Sequence, residues 1–97
     1  MYGTIFRMKV RPGQEEAVRQ EMRRWERERE PKVKGAVTTY LFKPDGSSNL
    51  LVGVAVFQDR ETYRANADDP EQHQWFLRLR VCLEEDPAWE DGEVLES

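Results

Sequence analysis

Ninety-seven residues carry 19 acidic against 15 basic side chains, a net charge of −4. That balance, with basic residues interleaved among acidic ones, excludes a nucleic-acid binder, which needs clustered excess Lys and Arg to neutralise phosphates. A chain this short buries only about 60–70% of its unfolded surface. With 38% hydrophobic and 35% charged residues, its apolar supply suits one domain spanning 1–97 that shares a core with a second copy.

The single cysteine, Cys82, cannot close an internal disulfide, so nothing points to an oxidising compartment. The start, MYGTIFRMKV, lacks a basic leader followed by a long apolar run, and no stretch approaches the ~18 apolar residues of a membrane span. A cytoplasmic protein is the expectation.

In chain order, residues 2–11 alternate: Thr4, Phe6, Met8 and Val10 on one side, Ile5, Arg7 and Lys9 on the other. Period two predicts a half-buried strand. Pro12-Gly13 ends it. Gln14, Glu15 and Glu16 open a helix where its dipole favours negative charge, and that helix is predicted from about Gln14 to Arg29. Val18, Met22 and Trp25 form one narrow apolar stripe on it, and the remaining residues, Glu26 to Glu30 among them, read as a solvated charged face. Pro31 stops it.

Ala36–Phe42, rich in β-branched and aromatic residues, predicts a second strand. Pro44-Asp45-Gly46 is a turn, with proline presetting one position and glycine supplying a positive φ. Leu50–Gln58 is a third strand whose continuous apolar run predicts burial on both faces: one against helices, the other against a second subunit.

Asp59 is a predicted N-cap for a short helix, Arg60 to Asn66. Asp69 caps the next, with Pro70 at its first position and Gln72 as a capping-box partner. This helix is predicted to run to about Glu84, with Trp75, Phe76, Leu79, Cys82 and Leu83 as its apolar face and Leu77 and Val81 extending it. Glu90–Leu95 is a short last strand. The order βαββαβ predicts an α+β, ferredoxin-like antiparallel sheet with its helices on one face, and its bare face predicts a homodimer.

Two phrases, YGTIFRMKVRPGQEEAVRQEM and LLVGVAVFQDRETYRANADDPEQHQWFLRL, resemble the antibiotic biosynthesis monooxygenase-like family. The first matches its strand, Pro-Gly and acidic helix start, and the second its buried strand, charged turn, aromatic, and break with Pro and His. The resemblance implies a dimeric α+β barrel and, for function, cofactor-independent oxygenation of a small apolar aromatic compound, with no metal or flavin. A non-catalytic ligand-binding or stress-associated dimer and a haem-degrading oxygenase are the alternatives. The first-strand Asn of haem-degrading relatives has no counterpart at Thr4, Ile5 or Arg7.

The residues that fit catalytic roles are Asn66 and His73. An imidazole exchanges protons near neutrality, although a lone His in a first helical turn also fits a plain surface role. An Asn amide polarises a ligand oxygen, or caps a helix end. Tyr40, Tyr63 and Trp75 are the expected aromatic walls, and Arg7 a contact for an anionic ligand group. No second His and no Cys beside His73 could complete a zinc site.

Overall fold

The computed structural model describes residues 1–97. Four strands, β1 (Tyr2–Lys9), β2 (Ala36–Phe42), β3 (Leu50–Phe57) and β4 (Ala88–Glu93), form one sheet in the order β2-β3-β1-β4. All pairs are antiparallel, with Tyr2 opposite Phe57 and Lys9 opposite Leu50 between β1 and β3. Helices α1 (Glu15–Arg24), α2 (Arg60–Ala67) and α3 (Pro70–Val81) complete the ferredoxin-like α+β fold. No helix is long and apolar enough to cross a membrane.

The alternation read in β1 is observed: Thr4, Phe6, Met8 and Val10 are buried, whereas Ile5, Arg7 and Lys9 are exposed. Phe6 lies opposite Gly53 on β3, and a Cβ there would collide with its ring. Glycine at 53 is therefore a packing requirement, since only a missing side chain lets the ring lie on the neighbouring strand. The β2–β3 connection turns at Gly46 with φ 76°, the predicted positive φ. Ser47 Oγ then accepts from the Leu50 N–H at 2.9 Å.

Both predicted N-caps form. Asp59 accepts from the Thr62 N–H at 2.8 Å, and Asp69 from the Glu71 N–H at 2.9 Å. Gln72 does not act as a capping-box partner; its side chain instead accepts from Trp25 Nε1, just beyond the end of α1. Helix α3 stops at Val81 instead of Glu84, because the chain after it pairs with the end of β1. Arg11 N–H donates to Cys82 O at 2.9 Å and Glu84 N–H to Lys9 O at 2.8 Å.

The first helix departs from expectation in its last turns. After Arg24 the chain widens into a π-helical turn, Trp25–Arg29, and tightens into a 3₁₀ turn, Glu30–Lys32. Arg29, read as part of the solvated face, is buried, its side chain only 8% exposed.

The core lies between the helices and one face of the sheet, around Met8, Val18, Phe57, Leu79 and Leu83. Leu77 and Val81 do not extend it; both are exposed. At ~100° per residue Leu77 points about 200° from Trp75 and so faces away from the sheet. The other sheet face has no cover within the chain. Ile5, Tyr40 and Phe42 are exposed on it, and Val52, Val54 and Val56 are half-buried.

Candidate functional site

A cavity of about 310 Å³ lies between the covered sheet face and α1, α2 and α3, lined by seven aromatic side chains: Phe6, Trp25, Phe57, Tyr63, Trp75, Phe76 and Trp89. The sheet contributes Thr4, Phe6, Thr39, Ala55, Phe57 and Trp89, all on its helix side, so period-two alternation in four strands aims them together. Ala67, His73 and Trp89 are the lining residues that reach solvent most freely, and they mark the mouth.

The rings are arranged edge to face or tilted rather than stacked flat. Trp25 and Trp75 meet edge-on with centroids 6.5 Å apart, and Phe57 and Tyr63 do so at 5.5 Å. Phe6 and Phe76 both lean on Trp89, at 4.8 and 6.2 Å. Tilted and edge-to-face pairs are the arrangements that the ring quadrupoles favour.

Both deep indoles have their N–H groups satisfied within the protein. Trp75 Nε1 donates to Glu21 O and Trp25 Nε1 to Gln72 Oε1, each at 2.8 Å. Tyr63 donates its hydroxyl to Asp91 Oδ1 at 2.9 Å. Burial first, and then the neighbouring Asp91 carboxylate, push the Tyr63 phenol up to about 12.

The polar end is built at the break between α2 and α3. Asn66 lies in the last turn of α2, and Gln72 and His73 lie in the first turn of α3. The buried Arg29 ties the break together: Nη1 donates to Glu71 Oε2 at 2.9 Å, and Nη2 to Asn66 Oδ1 at 2.8 Å and Asp69 Oδ2 at 3.4 Å. Its Nε is the one buried side-chain polar atom without a hydrogen-bond partner. Two carboxylates compensate the buried cation, whose desolvation would otherwise be costly.

The structure brings Asn66, His73, Tyr63 and Trp75 onto one cavity. It does not bring Tyr40 or Arg7 there. Tyr40 is 63% exposed on the uncovered sheet face, since it alternates with Thr39 and Leu41. Arg7 lies on that same face, paired with Glu90 of β4. Neither can touch a guest in the cavity of its own protomer.

Sequence reasoning missed Arg29 and Gln72. For Arg29 a signal existed: Val18, Met22 and Trp25 are continued by position 29, so an arginine stood on the buried stripe. For Gln72 the capping-box pattern pointed to a different partner. No group of three or more His, Cys, Asp or Glu side chains is placed to hold a metal ion.

No family model and no curated protein matches the sequence. Solved structures do match the fold. A single-residue variant of SnoaB, a cofactor-independent oxygenase from Streptomyces nogalater, superposes with a TM-score of 0.84 at 16% identity, covering 99% of this chain and 94% of that one. A Caulobacter crescentus protein, provisionally assigned as an antibiotic biosynthesis monooxygenase, gives 0.84 at 9% identity, over 98% and 90% of the two chains. Rv0793 from Mycobacterium tuberculosis gives 0.80 at 16% identity, over 99% and 96%. The chain therefore has the fold of antibiotic biosynthesis monooxygenase-like structures, in agreement with the resemblance read from its two phrases.

Proposed function

We propose that the chain is a member of the antibiotic biosynthesis monooxygenase-like family that oxidises a small, flat aromatic compound without a metal or organic cofactor. One observation carries this reading: a cavity walled by seven aromatic rings has Asn66 and His73 in the same lining. Its volume is at the lower end of small-molecule sites, which usually span ~300–1,000 Å³.

In the proposed reaction a ring CH₂, conjugated through its flanking aromatic rings to the carbonyl opposite, loses a proton, and the resulting carbanion, equally a phenolate, reduces dioxygen by one electron. Recombination forms the C–O bond, and the peroxide anion takes up a proton from solvent to give a hydroperoxide at that carbon. Loss of water leaves a new carbonyl, so CH₂ and O₂ become C=O and H₂O. His73 at the mouth accepts the first proton and passes it to solvent; Asn66 donates a hydrogen bond to the ring oxygen, where negative charge collects. The aromatic walls orient the rings and keep water from the carbanion.

Anthrone tests this directly. Its aerobic conversion to anthraquinone, with one O₂ consumed per product and no added metal or flavin, is expected to be accelerated by the protein. His73→Ala should reduce the rate by about 100-fold, the usual worth of a positioned base. Absence of any acceleration by the unaltered protein would overturn the enzymatic reading.

The second reading is a dimer that binds such a compound without turning it over. It is favoured by His73 itself, whose backbone N–H is bonded to Asp69 O while no protein hydrogen bond orients its imidazole. A general base normally has such an orienting partner.

A further inference from the structure

The π-helical turn grips two side-chain amides of the cavity by their oxygens. From its first residue, Trp25 Nε1–H donates to Gln72 Oε1; from its last, Arg29 Nη2–H donates to Asn66 Oδ1, both at 2.8 Å. Indole and guanidinium are donors only. The amide atom that meets each of them must therefore be the oxygen, and the orientation of both amides follows from chemistry.

What is left of each amide is its NH₂. Neither NH₂ donates to a protein acceptor, and neither is a buried orphan, a condition confined to Arg29 Nε. Both belong to residues that line the cavity, Asn66 from α2 and Gln72 from α3.

We infer that this wall of the cavity is a paired donor that reads an acceptor oxygen, a carbonyl or phenolate, on a flat aromatic ligand, and that Arg29 is the positioning residue that sets its polarity. This rests on the reading of the cavity as an aromatic-ligand site. Arg29 does not line the cavity itself. Its cation, held by Glu71 and Asp69, engages the Asn66 oxygen, so the NH₂ is the part of that amide left to meet a ligand. The π-helical geometry matters because it spaces Trp25 and Arg29 to reach the two sides of the α2–α3 break at once, and such turns recur at functional sites.

Fluorenone and fluorene, the same three fused rings with and without a carbonyl oxygen, provide the probe pair, with binding measured by equilibrium dialysis. The unaltered protein should bind fluorenone about tenfold more tightly than fluorene, the worth of one to two hydrogen bonds. Asn66→Asp with Gln72→Glu keeps the oxygens that face Arg29 and Trp25 and replaces both donors by acceptors. In that double variant the preference for fluorenone over fluorene should disappear.

Arg29→Met should weaken fluorenone binding alone, and Arg29→Lys, which keeps a donor cation, should restore part of it. If Arg29→Met does not fold, the amide-to-acid pair still decides the matter, because it leaves both anchoring contacts in place. Equal affinities in the unaltered protein, or a preference that survives in the double variant, would overturn the donor wall and leave the aromatic cavity standing. No binding of either compound would overturn both.

Discussion

Tyr63 couples the cavity to the sheet edge through a single hydrogen bond, from its hydroxyl to Asp91 on β4. Its phenol ionises near 12 in the folded chain, against about 10 for an unfolded tyrosine. Between those values the unfolded chain has released a proton that the folded chain still holds, so rising pH favours unfolding. The stability contributed by Tyr63 is thus complete below pH ~10 and declines as pH climbs from 10 to 12. Absorbance titration of tyrosinate should show one late-ionising tyrosine of the three present, and Tyr63→Phe should delete that late step. A titration in which the late step survives in Tyr63→Phe would assign it to another residue. The sequence placed Tyr63 on a helix near an aromatic cluster. It could not show Asp91 opposite it, since that contact spans 28 positions and depends on sheet register.

Among the elements, those fixed by local chemistry were legible and those fixed by tertiary contacts were not. Caps, turns and alternation depend on neighbours within a few positions, and Asp59, Asp69, Gly46 and the Thr4–Val10 face all emerged as expected. The π-helical turn depends instead on what Trp25 and Arg29 meet across the molecule, so the charged run from Glu26 to Glu30 looked like solvated surface. Likewise, Asn66 and His73 were legible as candidates, whereas Tyr40 and Arg7 were on the wrong sheet face for the cavity. Alternation says which residues share a face, but it does not say which face the helices cover. Asp69 serves two elements at once, capping α3 and helping to compensate Arg29. Asp69→Ala should therefore cost about 1–2 kcal/mol, the upper range for a lost cap. Asp69→Asn keeps an acceptor for the Glu71 N–H and should cost less than half as much in a urea titration. Equal losses in the two variants would show that the charge, and not the cap, matters at this position.

At the scale of the whole molecule, the apolar run of β3 poses a problem that one chain does not solve. Its inward residues Leu51 and Phe57 are buried, while Val52, Val54 and Val56 share the other face with the exposed Ile5, Tyr40 and Phe42. Only 17 of the 97 residues are buried in the isolated chain, a thin core for a stable domain of this length. Large exposed apolar patches are the kind of surface that partners cover, and we propose a second copy packed face to face on this one. Ion pairs Arg7–Glu90 and Lys9–Glu85 lie on the β1 side of that face, a polar rim of the sort that borders an apolar interface. Light scattering at micromolar concentration should therefore give twice the 11.5 kDa chain mass. Because association then contributes to stability, the melting temperature should fall on dilution. Val54→Glu, placing a carboxylate in the middle of the face, should yield a particle near 11.5 kDa whose melting temperature is lower and independent of concentration. A single-chain mass for the unaltered protein would refute the paired sheet and leave β3 with an apolar face open to water.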